Sequence, residues 1–163
     1  MANITFRRQV AKWPGDFSSE LVQRVVRMNE KVFAGMFEDP PYSFTDYYER
    51  LAEVASIVIT AETRGMVIAN CVAYPIEDMM YVWILAVLPQ VRRHGLARRF
   101  MDAIELMAKE QKLATVRVKV YNVSMSMQVL LLNRGYHIVQ VVPSPTDSKY
   151  NEVYFELRLA SST

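Results

Sequence analysis

The chemistry in this chain concentrates in one stretch, Ala86-Val87-Leu88-Pro89-Gln90-Val91-Arg92-Arg93-His94-Gly95-Leu96-Ala97, which runs on into Arg98 and Arg99. Met79 to Leu88 is almost unbroken apolar and rich in Val, Ile, Tyr and Trp, the pattern of a buried strand. Beyond Gly95, the residues Leu96, Phe100, Met101, Ile104, Met107 and Ala108 recur at helical spacing as far as about Lys112. The stretch is therefore strand, tight loop, helix. Pro89 has no N–H and stops the strand ladder, and Gly95 lets the backbone bend closely where the helix begins. A helix start exposes free N–H groups and the positive end of the dipole. With the guanidinium groups of Arg92, Arg93, Arg98 and Arg99 around it, the site favours an anion, most simply a phosphate. A merely solvated helix start would not call for the glycine and the small Ala97 together. A nucleic-acid patch would spread its basic residues beyond this one turn.

Length and composition narrow the alternatives. A chain of 163 residues that is 52% apolar and 22% charged suits one soluble globular domain, 1–163, with a real core. The net charge of +2 gives no general attraction to polyanions, so no nucleic-acid partner is expected. Cys71 is the single cysteine, which excludes an internal disulfide framework and fits a reducing compartment. Two histidines without ligand spacing give no metal site. No uncharged apolar run reaches the ~18 residues of a membrane span, and the N-terminal residues lack a signal-peptide layout, so a cytoplasmic protein away from membranes is expected.

The elements that must position the loop follow in order. Ile4 to Val10 alternates as a strand with one wet face. From about Phe17 to Met36, Leu21, Val25, Met28, Val32 and Met36 form one apolar helical stripe, with Asp16 or Ser18 as cap. Pro40-Pro41 breaks that helix, and Ser43 with Asp46 makes a capping box for a second helix from about Phe44. Ser56 to Thr60 and Met66 to Ile76 form a hairpin around Glu62-Thr63-Arg64-Gly65, and the central strand follows. Thr115 to Tyr121 is a strand with Val116, Val118 and Val120 facing the core. A helix from Ser124 to Asn133 stops at Gly135, and strands at Tyr136 to Val142 and Val153 to Leu159 close the chain.

The pattern Arg92-x-x-Gly95-x-Ala97, after a strand-ending proline and at the head of a helix, resembles the R-x-x-G-x-A signature of the GNAT superfamily of acyl-CoA-dependent N-acetyltransferases. The order β-α-α-β-β-β-α-β-α-β-β is similar to that fold along essentially the whole chain. The resemblance implies an α+β fold, an α/β/α sandwich, with a mixed sheet of about seven strands and about four helices. It implies a splay between the fourth and fifth strands, ending at Leu88 and Tyr121, that holds acetyl-CoA as co-substrate. Carried onto this sequence, pantetheine takes main-chain contacts from Leu85 and Val87, and the pyrophosphate takes Arg92, Arg93, His94, Gly95, Leu96 and Ala97. The implied activity is direct acetyl transfer to a primary amine in a ternary complex.

A second family pattern, N-x-x-A-x-x-L-Y-x-x-x-G-F, is where the sequence departs. Anchored on Gly135-Tyr136, it puts Ser124 at the Asn position, Met127 at the Ala position and Leu131 at the position of the usual tyrosine acid. Asn122 is the substitute pantetheine contact, or else a turn residue. Tyr121 and Tyr136 are the nearest proton donors, solvent being the alternative. For the base, Glu38, Asp39, Glu49, Glu53, Glu77 and Asp78 are all candidates, and none is singled out. Cys71 reads as a core residue, not a nucleophile. His94 reads as a coenzyme contact or an exposed loop residue, and His137 opens a strand without a nearby partner. In the family the two N-terminal helices wall the acceptor site. Here they carry Phe33, Met36, Phe37, Tyr42, Phe44, Tyr47 and Tyr48, either an aromatic lid or core filling, and an acidic group that would suit a cationic amine. Dimerisation through C-terminal strands, common in the family, allows a homodimer. The alternative function is a non-catalytic acyl-CoA-binding or sensing domain, and a third is an interaction protein without coenzyme.

Overall fold

Strand-forming and helix-forming segments alternate in this chain as the periodicities require, and the computed structural model describes them over residues 3–11, 15–34 and 42–160. The strands are β1 (Thr5–Val10), β2 (Ile57–Thr63), β3 (Met66–Ile76), β4 (Met79–Val87), β5 (Thr115–Tyr121), β6 (His137–Val142) and β7 (Glu152–Arg158). The helices are α1 (Ser19–Phe33), α2 (Phe44–Glu53), α3 (Leu96–Glu110) and α4 (Met125–Asn133). The strands form a seven-stranded mixed sheet in the order β1-β2-β3-β4-β5-β7-β6. β4 and β5 pair in parallel from Met79–Thr115 to Val82–Val118, and β5-β7-β6 pair antiparallel. The β4–β5 ladder ends there, although β4 continues to Val87 and β5 to Tyr121.

Several boundaries differ from the sequence expectation for local reasons. α1 starts after Ser18, whose hydroxyl accepts from the Leu21 N–H, so Ser18 and not Asp16 is the cap. It ends at Phe33, because Ala34 leaves helical geometry at φ −55, ψ 126; Met36 lies outside the described residues. Trp13-Pro14 and Pro40-Pro41 lie outside them too. The Ser43–Asp46 capping box forms as expected, and α2 follows it. β2 runs three residues past Thr60, since its pairing with β1 carries unbroken through Glu62 and its pairing with β3 continues past a bulge at Ala61/Glu62 to Thr63. β1 does not have one covered face: only Phe6 is partly covered, as befits an edge strand. α3 closes short of Lys112, which adopts φ 57 while the Leu113 N–H reaches back to the Ala108 carbonyl, so a lysine fills a position that usually favours glycine. α4 closes the same way on Gly135, with the Tyr136 N–H bonded to the Leu131 carbonyl.

The chain divides into two compact units, one of Met1–Tyr74 with Ile84–Met101, the other of Pro75–Trp83 with Asp102–Thr163. In the first, α1 buries Leu21, Val22, Val25 and Val26 on the face of β2 and β3 that carries Val58, Asn70 and Val72. In the second, Val116, Val118 and Val120 are buried with Phe155, Ile104 and Leu131. The alternate residues of β5 turn outward: Arg117 donates to Glu156 at 2.7 Å and Lys119 to Glu152 at 2.9 Å, both carboxylates being on β7.

Candidate coenzyme site

The anion loop belongs wholly to the first unit and is shaped by its backbone. At the end of β4, Ile84 and Ala86 are buried while Leu85 and Val87 are half-buried, so the latter pair lie on the more open side. Pro89–Val91 then makes a single 3-10 turn, with proline at the position where a missing N–H costs nothing. Arg92 is extended at φ −65, ψ 162, and Arg93 and Gly95 are left-handed at φ 66 and φ 76. Left-handed residues within a tight turn are a feature of the backbone concavities that bind anions. A Cβ built on Gly95 meets nothing within 4 Å. Glycine is thus required there by the dihedral angle alone, and the space above it is open to a ligand.

Side chains brace the same loop. Arg92 Nε donates to the Val87 carbonyl at 3.1 Å, leaving its Nη pair for an anion. His94 Nδ1 lies 2.9 Å from the Arg92 carbonyl and 3.3 Å from that of Val91. Carbonyls only accept, so Nδ1 carries the hydrogen and the ring ties the loop to itself. Leu96 is buried and pins the head of α3, where Gly95 O takes the first helical bond from the Arg99 N–H at 3.0 Å. The preceding N–H groups of that turn have no intrahelical acceptor, and no acidic residue stands in the first turn to compete for them. Arg93 and Arg98 are exposed, whereas the Arg99 guanidinium lies 3.7 Å over the Phe6 ring. Phe6 in turn meets Phe100 edge-on at 5.8 Å. Arg99 is therefore a packing residue as well as a charge. These residues suit a pyrophosphate.

The remaining candidates lie in the second unit. Tyr121 is half-buried at the end of β5. Asn122 is exposed in the following turn; its Nδ2 is 3.4 Å from the Ser148 carbonyl and its own carbonyl accepts from Gln128 at 2.8 Å. It thereby ties the β6–β7 connection to the β5–α4 turn. Tyr136 is buried and donates to Glu105 at 3.0 Å. Arg134 grips the same carboxylate through two bonds of 2.9 and 2.7 Å, and adds Asp102 at 2.7 Å. The Glu105 hydrogen bonds hold the guanidinium charge more firmly than usual. Leu131 is fully buried. His137 is exposed at the start of β6.

Among the carboxylates, Glu49, Glu53, Glu77 and Asp78 are exposed, and Glu38 and Asp39 lie outside the described residues. Cys71 is buried, and burial pushes its thiol up to about 12, which suits a core residue. The sequence reading missed two buried polar groups. One is Glu62, 6% exposed, which accepts from Arg24 at 2.8 Å and from Thr60 at 2.9 Å. Burial alone would raise its carboxyl, but those bonds and the charges of Arg24 and Arg7 outweigh it and leave it below the ordinary value. The other is a chain in which Asn70 donates to Asn29 at 2.6 Å and Asn29 donates to the Tyr47 hydroxyl at 2.8 Å. Burial raises the Tyr47 hydroxyl well above its ordinary range. A usable signal was present: Asn29 sits beside Met28 on a stripe that is otherwise apolar, and Asn70 interrupts an apolar strand. Among the described residues, no three metal-ligating side chains gather, and no helix is long and apolar enough to cross a membrane.

A mixed seven-stranded sheet with a parallel central pair, interrupted by four helices in this order, is the acetyltransferase architecture. The chain belongs to the acetyltransferase (GNAT) family, whose pattern matches residues 22–127 and so includes the whole anion loop. Solved structures agree in fold. The ribosomal-protein-S18-alanine N-acetyltransferase of Escherichia coli superposes with a TM-score of 0.77 at 14% identity, covering 98% of this chain and 97% of its own. Ard1 of Thermoplasma volcanium gives 0.73 at 17% identity, over 97% and 99% of the two chains. The PaiA N-acetyltransferase of Thermoplasma acidophilum, solved with coenzyme A, gives 0.71 at 12% identity, over 96% and 99%. Comparison with curated protein sequences finds no match.

Proposed function

We propose that this protein is an N-acetyltransferase that moves the acetyl group of acetyl-CoA directly to a primary amine within a ternary complex. The observation that carries the reading is the Arg92–Ala97 loop, where left-handed Arg93 and Gly95 precede an unblocked helix N-terminus. We assign pyrophosphate binding to Arg92, Arg93, His94, Gly95, Leu96 and Ala97, and pantetheine contacts to Leu85, Val87 and Asn122. In the transfer, the neutral amine attacks the thioester carbon, the C–N bond forms, and the C–S bond breaks. The surplus amine proton goes to a base, and the leaving thiolate takes a proton from an acid or from water. Tyr121 at the end of β5 and Tyr136, which donates to Glu105, are the two candidates for that acid.

For the acceptor, we propose an amine with an apolar or aromatic portion. Tyr47 is core, but Phe44 and Tyr48 are exposed on α2 and stacked at 6.0 Å, which supports an aromatic wall beside the acceptor. A homodimer through the C-terminal strands accords with β6 being exposed along its whole length, and light scattering reads that state. The second reading, an acyl-CoA-binding domain without turnover, is favoured by the fully buried Leu131 where the family's tyrosine acid usually stands.

Thermal unfolding with acetyl-CoA, CoA and ATP tests the coenzyme assignment. A folded-state ligand at a hundredfold excess over Kd adds about 2.7 kcal/mol. A shift with acetyl-CoA well above that with ATP supports the assignment, and no shift at millimolar ligand rejects it. An amine screen for CoA release then separates enzyme from sensor.

A further inference from the structure

We infer that Asn29, Asn70 and Tyr47 are positioning residues, a buried polar chain that seats α2 and thereby places the exposed Phe44–Tyr48 pair; this rests on the reading that α1 and α2 wall the acceptor site.

The chain crosses three elements. Asn70 on β3 is fully buried and donates to Asn29 on α1, which is 2% exposed. Asn29 donates onward to the hydroxyl of Tyr47 on α2, also 2% exposed. All three residues belong to the first unit. Stability does not explain their presence. Asn70 Oδ1 is buried without a hydrogen-bond partner in the protein, and its amide otherwise faces the Met28 sulfur at 4.0 Å. Apolar residues of the same shape would avoid that unpaired acceptor. What a directional polar chain supplies, and apolar packing does not, is one preferred geometry.

α2 needs such a fixing. It has ten residues, of which Tyr47 and Leu51 are buried. Its N-terminus follows residues 35–41 of the connection from α1, and among the described residues one long-range backbone bond reaches it, from the Gly15 N–H to the Leu51 carbonyl. Leu51 packs without directionality, whereas the Tyr47 hydroxyl accepts a directed bond from Asn29. Phe44 and Tyr48 flank Tyr47 one turn and one residue away. A rotation or slide of α2 that Leu51 tolerates would therefore carry the stacked pair with it. Small misplacements of a group that positions substrate are costly.

The test uses the full chain with Tyr47→Phe, Asn29→Leu, the double variant, and Val25→Ala as a control for simple core loss. Steady-state KM is measured for the acceptor and for acetyl-CoA, alongside thermal unfolding. Expected is an acceptor KM raised about tenfold in each single variant, no further rise in the double, and acetyl-CoA KM and kcat within about twofold of wild type. Val25→Ala should lower the unfolding temperature and leave acceptor KM alone. The inference is overturned if acceptor KM stays put, if both KM values rise together, or if Val25→Ala gives the same split. Should Asn29→Leu not fold, Tyr47→Phe decides alone. Wild type that turns over no amine overturns the proposed activity and this inference with it; wild type that turns over without the split overturns this inference only.

Discussion

Arg92 Nε donates to the Val87 carbonyl at 3.1 Å, so the first arginine of the anion loop is braced against the last residue of β4. The guanidinium is thereby pre-oriented, with its Nη pair facing outward. The bond also engages the Val87 carbonyl at the strand end. Arg92→Glu should weaken acetyl-CoA binding at least about tenfold, the scale of a charge-assisted phosphate contact. Because Arg92 is exposed, unfolding without ligand should shift by no more than about 0.5 kcal/mol. Calorimetric titration and urea unfolding read the two quantities.

At Gly95 the open space above the Cα separates conformation from crowding. Gly95→Asn tolerates a left-handed backbone and should keep most of the stability, whereas Gly95→Val should lose about 2 kcal/mol or more. Equal losses in urea unfolding would mean that the dihedral angle is not what the loop needs.

Glu105 holds two partners, the buried Tyr136 hydroxyl and Arg134, whose side chain is 15% exposed. Glu105→Ala leaves both without that carboxylate and should destabilise by about 3 kcal/mol. Asp102, 59% exposed, is the weaker partner of the same guanidinium, and Asp102→Ala should cost under about 1 kcal/mol. The ranking is read from denaturant midpoints at constant slope.

Glu62 supplies the pH dependence. Its carboxyl lies below the ordinary 4.5 in the folded protein, so the unfolded chain binds the proton first on acidification. Its stabilisation is complete above the unfolded value and is lost as pH falls from there through the folded one. Unfolding free energy measured across that acidic range should fall, and Glu62→Gln should flatten the fall. Glu152 is shifted in the same direction, with burial outweighed by Lys119 and Tyr154, so some slope should remain in the variant.

Cys71 is fully buried with its thiol raised, so a thiol reagent should label the native protein only as fast as the chain opens. Cys71→Ala should leave turnover unchanged. Rapid labelling of the native protein would contradict the core assignment.

What the sequence disclosed was whatever is local. The order of all eleven main strands and helices, the Ser43–Asp46 box, the β5 alternation and the Gly135 stop are each set within a few residues, and each appears as expected. The bends at Pro89 and Gly95 were legible for the same reason: proline and glycine act on their own dihedral angles. Contacts across long separations were not legible. Asn29 and Asn70 are 41 residues apart and Arg134 and Glu105 are 29 apart, so no spacing rule joins them. The left-handed Arg93 and Lys112 were also invisible, since neither residue type announces a positive φ. The end of α1 was misjudged because an apolar stripe can outlast the helix that begins it.

The outward face of β5 acts as an error check on assembly. The inward valines repeat every second residue, so they forbid a one-residue slip against β7 but accept a slip of two. The charges favour the observed register, in which Arg117 stands directly opposite Glu156. Sliding two residues one way sets Arg117 opposite Arg158, and sliding the other way carries Glu156 from Arg117 to Thr115. Oil in the core selects which face points in, and the salt on the surface counts the residues.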